Sequence, residues 1–236
     1  MKHVIETVHL KSVDSTNKYA MNICEKKHLL TVLSDIQTAG RGRIGRAFFS
    51  YFGGLYMSVI VDPLMIGLPY HIITPAAALA VKKTLVECGV NEARIKWVND
   101  IYLHDKKVCG ILTEAKTDNN SIERIVVGIG LKIRTFNTVF PEEIQTKAGF
   151  VSVAKDREYI AKRIAENLGV LLNEDKQKIA DEYGKNIMYI GETVGVCDYK
   201  ENKTYRAKIL GVNDDCFLKA ELDDGSVRYL SSGEII

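Results

Sequence analysis

The sequence of 236 residues is long enough for one large domain, or for a medium domain followed by a small one. It is 46% hydrophobic and 26% charged, the composition of an ordinary water-soluble globular protein, and 32 basic against 30 acidic side chains leave a net charge of +2. This balance gives no support for a dedicated nucleic-acid-binding surface, and there is neither a signal peptide nor an apolar run of membrane-spanning length.

The cysteines and histidines predict neither a disulfide framework nor a protein-held zinc ion. Each type occurs five times and is widely scattered, and no cysteine pair has C-x-x-C or metal-ligand spacing. Reduced thiols in a cytoplasmic protein are therefore expected.

The first elements lead towards a polar loop. Residues 4–10 alternate as in a strand. Asp-Ser-Thr-Asn at 14–17 has two interpretations: an ordinary helix cap, or hydroxyls and backbone donors that bind a small polar group. Residues 29–37 indicate a buried strand that delivers Gln37 to the loop.

The loop at 37–46 reads Gln-Thr-Ala-Gly-Arg-Gly-Arg-Ile-Gly-Arg. Glycine lets a backbone approach a ligand closely, and arginine offers a planar fork of donors suited to carboxylates and phosphates. The spacing differs from that of a Walker A loop, and no helical pattern follows as in a dinucleotide-binding turn. A mobile loop that folds around an anion is favoured over a solvated linker or a non-specific nucleic-acid contact.

The middle of the chain predicts a sheet with helices gathered on one side. Residues 55–61 alternate as a strand, and residues 68–88 form a long helical candidate in which Pro75 indicates a kink or a late start. Further strands are predicted at 94–97, 101–104, 107–115 and 122–133, with a tight turn at Asp105 and Lys106 and a polar loop at 118–120. Because short turns join successive strands, a mixed, largely antiparallel sheet of the α+β class is expected.

The C-terminal part changes in character near Met188. Before it, a helical stripe and a last helix ending at Gly184 belong to the core; their apolar members are Ile160, Ile164, Leu168, Leu171, Leu172, Ile179 and Tyr183. After it, four or five short strands are predicted, at 193–198, 205–212, 217–222 and 227–230 among them. They indicate a small SH3-like β-barrel, so the predicted domains are 1–187 and 188–236.

A second polar cluster lies in the predicted sheet. Residues 96–100 read Lys-Trp-Val-Asn-Asp, and residues 107–112 read Lys-Val-Cys-Gly-Ile-Leu on the next strand. A hairpin would bring Asp100 and Lys107 into one site, where lysine can bridge two anions and a carboxylate can hold Mg²⁺. Each residue alone is equally consistent with an ordinary turn or strand end.

Two glycines, Gly128 and Gly130, interrupt a strong strand pattern. Glycine within a strand marks the close approach of a ligand or another backbone, or else a bulge. Both interpretations stay open.

These motifs together resemble the biotin protein ligase family, over nearly the whole chain. The resemblance rests on Asp-Ser-Thr-Asn at 14–17, Gln37 with Gly-Arg-Gly-Arg-x-Gly-Arg at 40–46, Lys-Trp-x-Asn-Asp at 96–100, Lys-Lys-Val-x-Gly-Ile-Leu at 106–112 and Gly-Ile-Gly-Leu at 128–131. It implies a class II synthetase-like catalytic domain followed by an SH3-like barrel. A catalytic strand starting near residue 4 leaves no room for the N-terminal DNA-binding domain of some members, so a ligase without repressor function is expected.

The resemblance also implies a reaction. ATP and biotin give biotinyl-5′-AMP and pyrophosphate, and biotin then passes to a lysine of a biotin carboxyl carrier protein, as in a biotin–[acetyl-CoA-carboxylase] ligase. The implied catalytic residues are Lys107, Arg43, Asp100 and Lys96. The implied biotin-binding residues are Ser15, Thr16, Asn17, Gln37, Arg41, Gly42, Arg43, Lys107 and Gly110. The implied ATP-binding residues are Arg43, Arg46, Phe48, Asn99, Asp100 and Lys132, with Asp100 the candidate for Mg²⁺.

Each implied role has a chemical reason. Arg43 and Arg46 would neutralise phosphates, and Lys107 would bridge the biotin carboxylate and the α-phosphate. Asp100 would help the acceptor lysine to attack as a neutral amine. Ordering of the loop would keep water from the adenylate.

Three positions depart from the family pattern: Val98 stands where Pro is usual, Phe48 where Trp stacks on adenine, and Lys132 where Gly-x-Gly-x-Asn expects Asn. The alternatives are a degenerate member that binds biotin or its adenylate with weak or no transfer, and a lipoate- or octanoate-type ligase, against which the full loop argues. Neither DNA nor a membrane is expected as a partner, and pairing of sheet strands leaves a homodimer open.

Overall fold

Two β-sheets form the framework of the protein. The computed structural model describes residues 5–25, 27–119, 121–135 and 139–236. The predicted start of the first strand at residue 4 and the end of the polar loop at residue 120 lie outside the described residues.

The larger sheet has seven strands in the order β1-β2-β3-β7-β6-β5-β4. They are β1 (Thr7–Leu10), β2 (Thr31–Ser34), β3 (Leu55–Val61), β4 (Arg94–Lys96), β5 (Asp100–Leu103), β6 (Lys106–Asp118) and β7 (Ser121–Leu131). Only β1 and β2 run parallel among these described pairs. The predicted mixed, largely antiparallel sheet is therefore confirmed.

Two strand boundaries differ from the prediction. The strand predicted from residue 29 begins at Thr31, because Leu29 adopts a left-handed φ of 62°. The turn before β6 lies one residue earlier than predicted, at His104 and Asp105, which have φ angles of 48° and 60°. A two-residue turn with both φ angles positive matches the twist of an antiparallel hairpin.

Five α-helices accompany the larger sheet in the described ranges: α1 (Thr16–Asn22), α2 (Tyr70–Glu87), α3 (Glu142–Gln145), α4 (Arg157–Leu171) and α5 (Lys176–Asn186). The late start predicted for α2 is confirmed, because it begins after Pro69 and runs through Pro75. The predicted end of α5 at Gly184 is wrong. The helix continues to Asn186. Gly184 instead permits a close approach, because a Cβ there would lie 3.3 Å from Val212 Cγ2.

The prediction that all helices lie on one side of the sheet is wrong. α2, α4 and α5 share a continuous core with alternate sheet residues such as Val59 and Val127. α1 buries Ala20 against Val32, Ile60 and Val126, which alternate with that set and so face the other way. α1, which begins at Thr16, therefore lies on the face of the sheet opposite to α2, α4 and α5.

The smaller sheet is antiparallel, in the order β11-β10-β9-β8-β12. Its strands are β8 (Thr193–Asp198), β9 (Lys203–Val212), β10 (Leu218–Leu222), β11 (Val227–Leu230) and β12 (Gly233–Ile235). The expected SH3-like C-terminal unit is confirmed. Trp97 Nε1 donates to the Cys216 carbonyl at 3.0 Å, and one apolar core extends across both units. The boundary at 187/188 stays a prediction.

Candidate functional site

One cavity opens on the α1 side of the sheet, beneath the loop that follows β2. It brings together most of the residues singled out from the sequence: Ser15, Thr16, Asn17, Gln37, Arg41, Gly42, Arg43, Arg46, Phe48, Asn99, Asp100, Lys107 and Gly110 line it. Lys96 and Lys132 are not in its wall. The two motif clusters, far apart in sequence, therefore share one space.

The end of the cavity next to α1 is a buried polar network. Ser15 caps α1 by accepting a hydrogen bond from the Lys18 backbone. The backbone and hydroxyl of Thr16 both donate to Gln37 Oε1, at 2.9 and 3.0 Å. Ser58, on β3, lies 2.8 Å from Thr16 Oγ1. Such a network can match a planar, polar ligand head, since buried donors and acceptors are expensive to leave unpaired.

Asn17 explains one of the two strand glycines. Its Oδ1 lies 2.6 Å from Ser58 Oγ, and its Nδ2 donates to Glu114 Oε2 at 2.8 Å. A Cβ at Gly128 would come within 2.1 Å of Asn17 Oδ1. Close approach of the chain's own side chain is therefore the reason for glycine at 128, and neither a bulge nor a ligand is needed.

We expect Gly128→Ala to disturb this polar end selectively. The added methyl group must displace the Asn17 amide, which breaks its bonds to Ser58 and Glu114. Loss of about 1–3 kcal/mol from each buried polar group left unpaired predicts a fall in ligand affinity of at least tenfold. Calorimetric titration with biotin, the ligand that the family resemblance implies, measures it, and Gly67→Ala, where a Cβ meets nothing within 4 Å, is the matched control. Unchanged affinity in Gly128→Ala would contradict the role of Asn17.

The glycine–arginine loop is closed by its own backbone. Gly42 N donates to the Arg46 carbonyl at 2.7 Å, and Phe48 N donates to the Gly40 carbonyl at 2.8 Å. Between them, Ile44 has a φ of 53°, unusual for a β-branched residue. A Cβ at Gly40 would lie 2.5 Å from the Phe48 carbonyl, so glycine is required there.

Each arginine of the loop has a different partner. Arg41 contacts both Glu114 oxygens at 3.1 Å. Arg43 donates to Asn99 Oδ1 at 2.7 Å and to the Gly233 carbonyl at 3.0 Å. The Arg43 guanidinium also lies over the Tyr199 ring, 5.5 Å from its centroid. No ion pair of Arg43 with a described carboxylate is seen, and charge-assisted bonds to an anion are stronger than bonds to neutral oxygens.

The third loop arginine is tied to the C-terminal unit. Arg46 forms two 2.7 Å hydrogen bonds with the Glu234 carboxylate, which also lies beside Tyr199. The Arg46 guanidinium lowers the pKa of Glu234, so the pair is charged near neutral pH. Sequence reasoning missed Glu234 and Tyr199, because nothing local marks a contact between residues 188 positions apart.

Glu114 was also missed, although the sequence carries a signal for it. Gly110, Leu112 and Glu114 alternate along β6, so they share one face of the sheet. Glu114 joins Arg41 of the loop to Asn17 of α1. It therefore links the loop to the polar end of the cavity.

The predicted hairpin brings Asp100 and Lys107 together. Lys107 Nζ lies 2.6 Å from Asp100 Oδ2. Asp100 Oδ1 is buried and has no hydrogen-bond partner. Residues 147–149 hold the Lys107 backbone, which donates to the Lys147 carbonyl and accepts from Gly149 N. Asp100 and Lys107 thus line the cavity from two neighbouring strands, β5 and β6.

Lys96 occupies a different environment from the one implied. Its ammonium lies 5.2 Å from the Tyr102 ring centroid and 5.9 Å from that of Tyr189. Burial lowers the pKa of Lys96, and the charge of Asp100 opposes that shift. Lys96 therefore lies outside the cavity wall, and its predicted catalytic role stays a prediction.

The Phe48 ring packs against two strand glycines. Gly110 and Gly130 are direct partners across β6 and β7. A Cβ at Gly130 would lie 2.4 Å from Phe48 Cε1, and one at Gly110 would lie 3.1 Å from Phe48 Cε2. The second strand glycine is thus also explained by a side chain of the protein. Lys132 Nζ lies 3.9 Å from the centroid of the same ring.

Lys132 is a buried lysine, 4% exposed. Burial, reinforced by the nearby charge of Lys107, lowers its pKa from 10.5 to about 8. Below pH 8 the side chain is charged in both the folded and the unfolded protein, so folding bears the full cost of burying it. As pH rises from 8 to 10.5 the folded protein loses this proton first, and the cost disappears.

We expect Lys132→Met to stabilise the protein at neutral pH. With the pKa lowered from 10.5 to about 8, at roughly 1.4 kcal/mol per pH unit, the free energy of unfolding should rise by about 3 kcal/mol below pH 8. The gain should shrink towards zero at pH 10.5. Urea unfolding at pH 7 and pH 10 measures both values; equal gains at the two pH values would exclude titration of Lys132 as the cause.

Two features are absent from the described parts of the chain. No described helix is both long and apolar enough to cross a membrane. No group of three or more His, Cys, Asp or Glu side chains within those parts is placed to hold a metal ion.

Two family models match this sequence. Residues 9–132, just over half of the chain, match the biotin/lipoate A/B protein ligase family, and residues 189–236 match the biotin protein ligase C-terminal domain. The first match covers both motif clusters of the cavity, and the second covers Tyr199 and Glu234.

Individual proteins are similar over most of the chain. The bifunctional ligase/repressor BirA of Bacillus subtilis is 28% identical over 209 residues, which is 85% of this chain but 64% of that protein. The biotin–[acetyl-CoA-carboxylase] ligase of Mycobacterium tuberculosis is 29% identical over 230 residues, which is 88% of this chain and 78% of that protein. The chain thus spans less than two thirds of the BirA protein.

The fold is similar to that of a solved biotin protein ligase from Aquifex aeolicus, studied in complex with biotin and ATP. The TM-score is 0.81 and the sequences are 27% identical, with 98% of this chain and 97% of the other covered. With 98% of this chain covered, the similarity extends over both sheets.

Proposed function

Because the chain belongs to the biotin/lipoate A/B protein ligase family, we propose that it joins biotin to ATP as biotinyl-5′-AMP and then transfers biotin to a lysine of a biotin carboxyl carrier protein. Relatives named as biotin–[acetyl-CoA-carboxylase] ligases support this acceptor class. Biotin and ATP, both bound in the Aquifex aeolicus structure, are the proposed ligands.

One observation carries the proposal: cations from two separate segments line a single cavity. Arg43 and Arg46 reach it from the loop, and Lys107 reaches it from β6. A carboxylate and a triphosphate repel each other, so their reaction needs fixed positive charge where they meet. The buried polar end formed by Thr16 and Gln37 offers donors and acceptors for the ureido ring.

Adenylate formation is an in-line displacement. A biotin carboxylate oxygen attacks the α-phosphorus, and the bond to pyrophosphate breaks. Lys107 leaves Asp100 and contacts the two reacting anions. Arg43 and Arg46 neutralise negative charge on the phosphates. The strand holds Lys107 in place, so positioning contributes alongside charge.

Magnesium fits one feature of the site. Mg²⁺ bound with ATP is usually held by one or two carboxylates together with substrate phosphates. Asp100 Oδ1, a buried carboxylate oxygen without a hydrogen-bond partner, is suited to such a contact. The ion would supply additional neutralisation of phosphate charge.

The transfer step needs a neutral amine. The acceptor lysine nitrogen attacks the acyl carbonyl, the bond to AMP breaks, and the amine proton must leave. We expect Asp100 to accept that proton, because Asp100 lines the cavity and contacts Lys107. The loop covers the adenylate until the carrier arrives and so limits its hydrolysis.

We expect Glu234→Gln to loosen the loop. The change keeps the shape of the side chain but removes the charge that holds Arg46. An exposed ion pair contributes about 0.2–1 kcal/mol, so the adenylate should dissociate about 1.4- to fivefold faster. Stopped-flow release of biotinyl-5′-AMP measures the rate, and Glu192→Gln on the same unit is the control. An unchanged rate would show that Glu234 does not restrain the loop.

The proposal is tested with the protein, ATP and a purified biotin carboxyl carrier protein. Mass spectrometry should find one biotin on a single carrier lysine, and ATP should be required. Parallel reactions with lipoate and octanoate should leave the carrier unmodified. Modification by lipoate in preference to biotin would replace the proposed substrate, and tight biotin binding without transfer would favour the degenerate alternative.

A further inference from the structure

The short connection between β4 and β5, residues 97–99, presents two residues to the cavity. Asn99 ends it, and Asp100 begins β5 directly after it. Asn99 Oδ1 accepts a hydrogen bond from Arg43 at 2.7 Å, and Asp100 Oδ2 lies 2.6 Å from Lys107 Nζ. A shift of this connection would therefore disturb the contacts of both cations.

Two buried side chains outside the cavity wall hold this connection by hydrogen bonds. Trp97 is 2% exposed, and its Nε1 donates to the Cys216 carbonyl of the C-terminal unit at 3.0 Å. Tyr183 of α5 is 0% exposed, and its hydroxyl donates to the Val98 carbonyl at 2.8 Å. Neither Trp97 nor Tyr183 lines the cavity. The connection is thus fastened from two directions, by α5 and by the C-terminal unit.

The Tyr183 hydroxyl has one partner among the described residues, the Val98 carbonyl. Burial raises the pKa of Tyr183 well above its usual value, so the hydroxyl keeps its proton and acts as a donor. The charges of Arg43 and Asp100 act on it, which places it within electrostatic reach of the site. Phenylalanine would supply the apolar ring without a polar group to bury, so the hydroxyl is of use only through this bond.

The carbonyl that receives the Trp97 bond belongs to an anchored turn. Asp215, which precedes Cys216, lies 3.1 Å from His71 Nε2 at the start of α2 and 2.9 Å from Lys176 Nζ at the start of α5. The turn is therefore tied to two helices of the larger unit, and Trp97 bonds to a fixed acceptor.

We propose that Trp97 and Tyr183 are positioning residues, whose two hydrogen bonds fix the connection between β4 and β5 and thereby align Asn99 and Asp100 for the reaction. The inference rests on the proposed adenylate formation and extends it to two side chains that do not touch the ligands. A misplacement of about 1 Å can lower a rate about a hundredfold. The buried polar end of the cavity lies at α1, so loss of this alignment should lower the rate far more than the affinity for biotin.

The test is the single-turnover rate of adenylate formation in Tyr183→Phe, which keeps the ring and leaves the Val98 carbonyl unpaired. The rate should fall at least tenfold, while the affinity for biotin, measured by calorimetry, should stay within twofold of the parent. Thr84→Val is the matched control. It removes a hydroxyl of a 0% exposed residue that bonds to Asn167 and does not line the cavity, so the rate should be that of the parent.

Trp97 supplies a second measurement that needs no ligand, because it is the only tryptophan in the sequence. Its burial predicts slow quenching of the protein's fluorescence by acrylamide. Tyr183→Phe should raise the quenching constant at least twofold, since the neighbouring peptide loses its restraint, whereas Thr84→Val should leave the constant unchanged.

Several results would overturn the inference. They are a folded Tyr183→Phe protein with the parent rate, an equal loss of rate and of biotin affinity, and a control that loses as much rate. If urea unfolding shows that Tyr183→Phe does not fold, Asp215→Asn decides: it loosens the turn that holds the Trp97 bond and should lower the rate at least twofold, and an unchanged rate would overturn the inference. A parent without biotin-dependent adenylate formation would remove the proposed function, and unchanged quenching of Trp97 in Tyr183→Phe would then overturn the positioning role as well.

Discussion

Lys107→Ala should reduce the rate of biotinyl-5′-AMP formation by about a hundred- to a thousandfold, the effect of removing one preorganised group that stabilises transition-state charge. Lys107 carries the only strand-borne ammonium in the wall of the described cavity. Its backbone N–H and carbonyl are both hydrogen-bonded to residues 147–149. Quenched single-turnover reactions with saturating biotin and ATP measure the rate. The ureido contacts formed by Thr16 and Gln37 remain, so biotin affinity should fall much less than the rate.

Lys106→Ala is the matched control for this prediction. Lys106 is the preceding residue on β6, but its ammonium contacts the Thr146 carbonyl and does not line the cavity. Its loss should leave the rate within twofold of the parent. A Lys107→Ala variant that is folded and forms adenylate at a near-normal rate would refute the bridging role of Lys107.

Arg43→Gly should release biotinyl-5′-AMP from the protein and allow bystander lysines to be biotinylated. The guanidinium joins the loop to Asn99 and to the Gly233 carbonyl, and it is proposed to bind phosphate when the adenylate is present. Loss of charge-assisted hydrogen bonds worth about 1.5–3 kcal/mol predicts dissociation about ten- to a hundredfold faster. Stopped-flow measurement gives the rate, and albumin added to the reaction reports bystander biotinylation.

Ile44→Gly separates loss of charge from gain of flexibility. Ile44 is in the same loop, is 65% exposed and has a φ of 53°, where glycine is at ease. This substitution frees the backbone but retains every arginine. If Ile44→Gly released the adenylate as fast as Arg43→Gly does, loop stiffness and not the guanidinium would be the restraint.

The sequence predicted best those features that depend on local pattern. The hairpin that joins Asp100 to Lys107 follows from two strand patterns and a short turn. The predicted position of that turn differs from the observed one by a single residue. The loop at 40–46 is recognisable because glycine and arginine each have a narrow set of uses. The SH3-like unit follows from short strands with regular turns.

Features that depend on contacts distant in sequence were not predicted. Glu234 meets Arg46 only after two units have packed together, and no local pattern marks it. Phe48 and Lys132 were each identified as departures from a family pattern, but their contact depends on the space that Gly110 and Gly130 leave for the Phe48 ring. The position of α1 on the opposite face of the sheet required knowledge of which strand face each apolar residue joins.

Glycine shows why pattern alone was insufficient. Gly128, Gly130 and Gly184 were interpreted as ligand contacts, bulges or a helix end. Each instead accommodates a side chain of the protein: Asn17, Phe48 and Val212. The missing Cβ is visible in the sequence, but the atom that takes its space is known only from the fold.

The most direct test of the central claim is biotin-dependent exchange of labelled pyrophosphate into ATP, measured without any carrier protein. If cations from the loop and from β6 unite a carboxylate with the α-phosphate, label should enter ATP only when biotin is present, with a rate that saturates as biotin increases. Absence of exchange, in a protein shown by calorimetry to bind both biotin and ATP, would contradict the account.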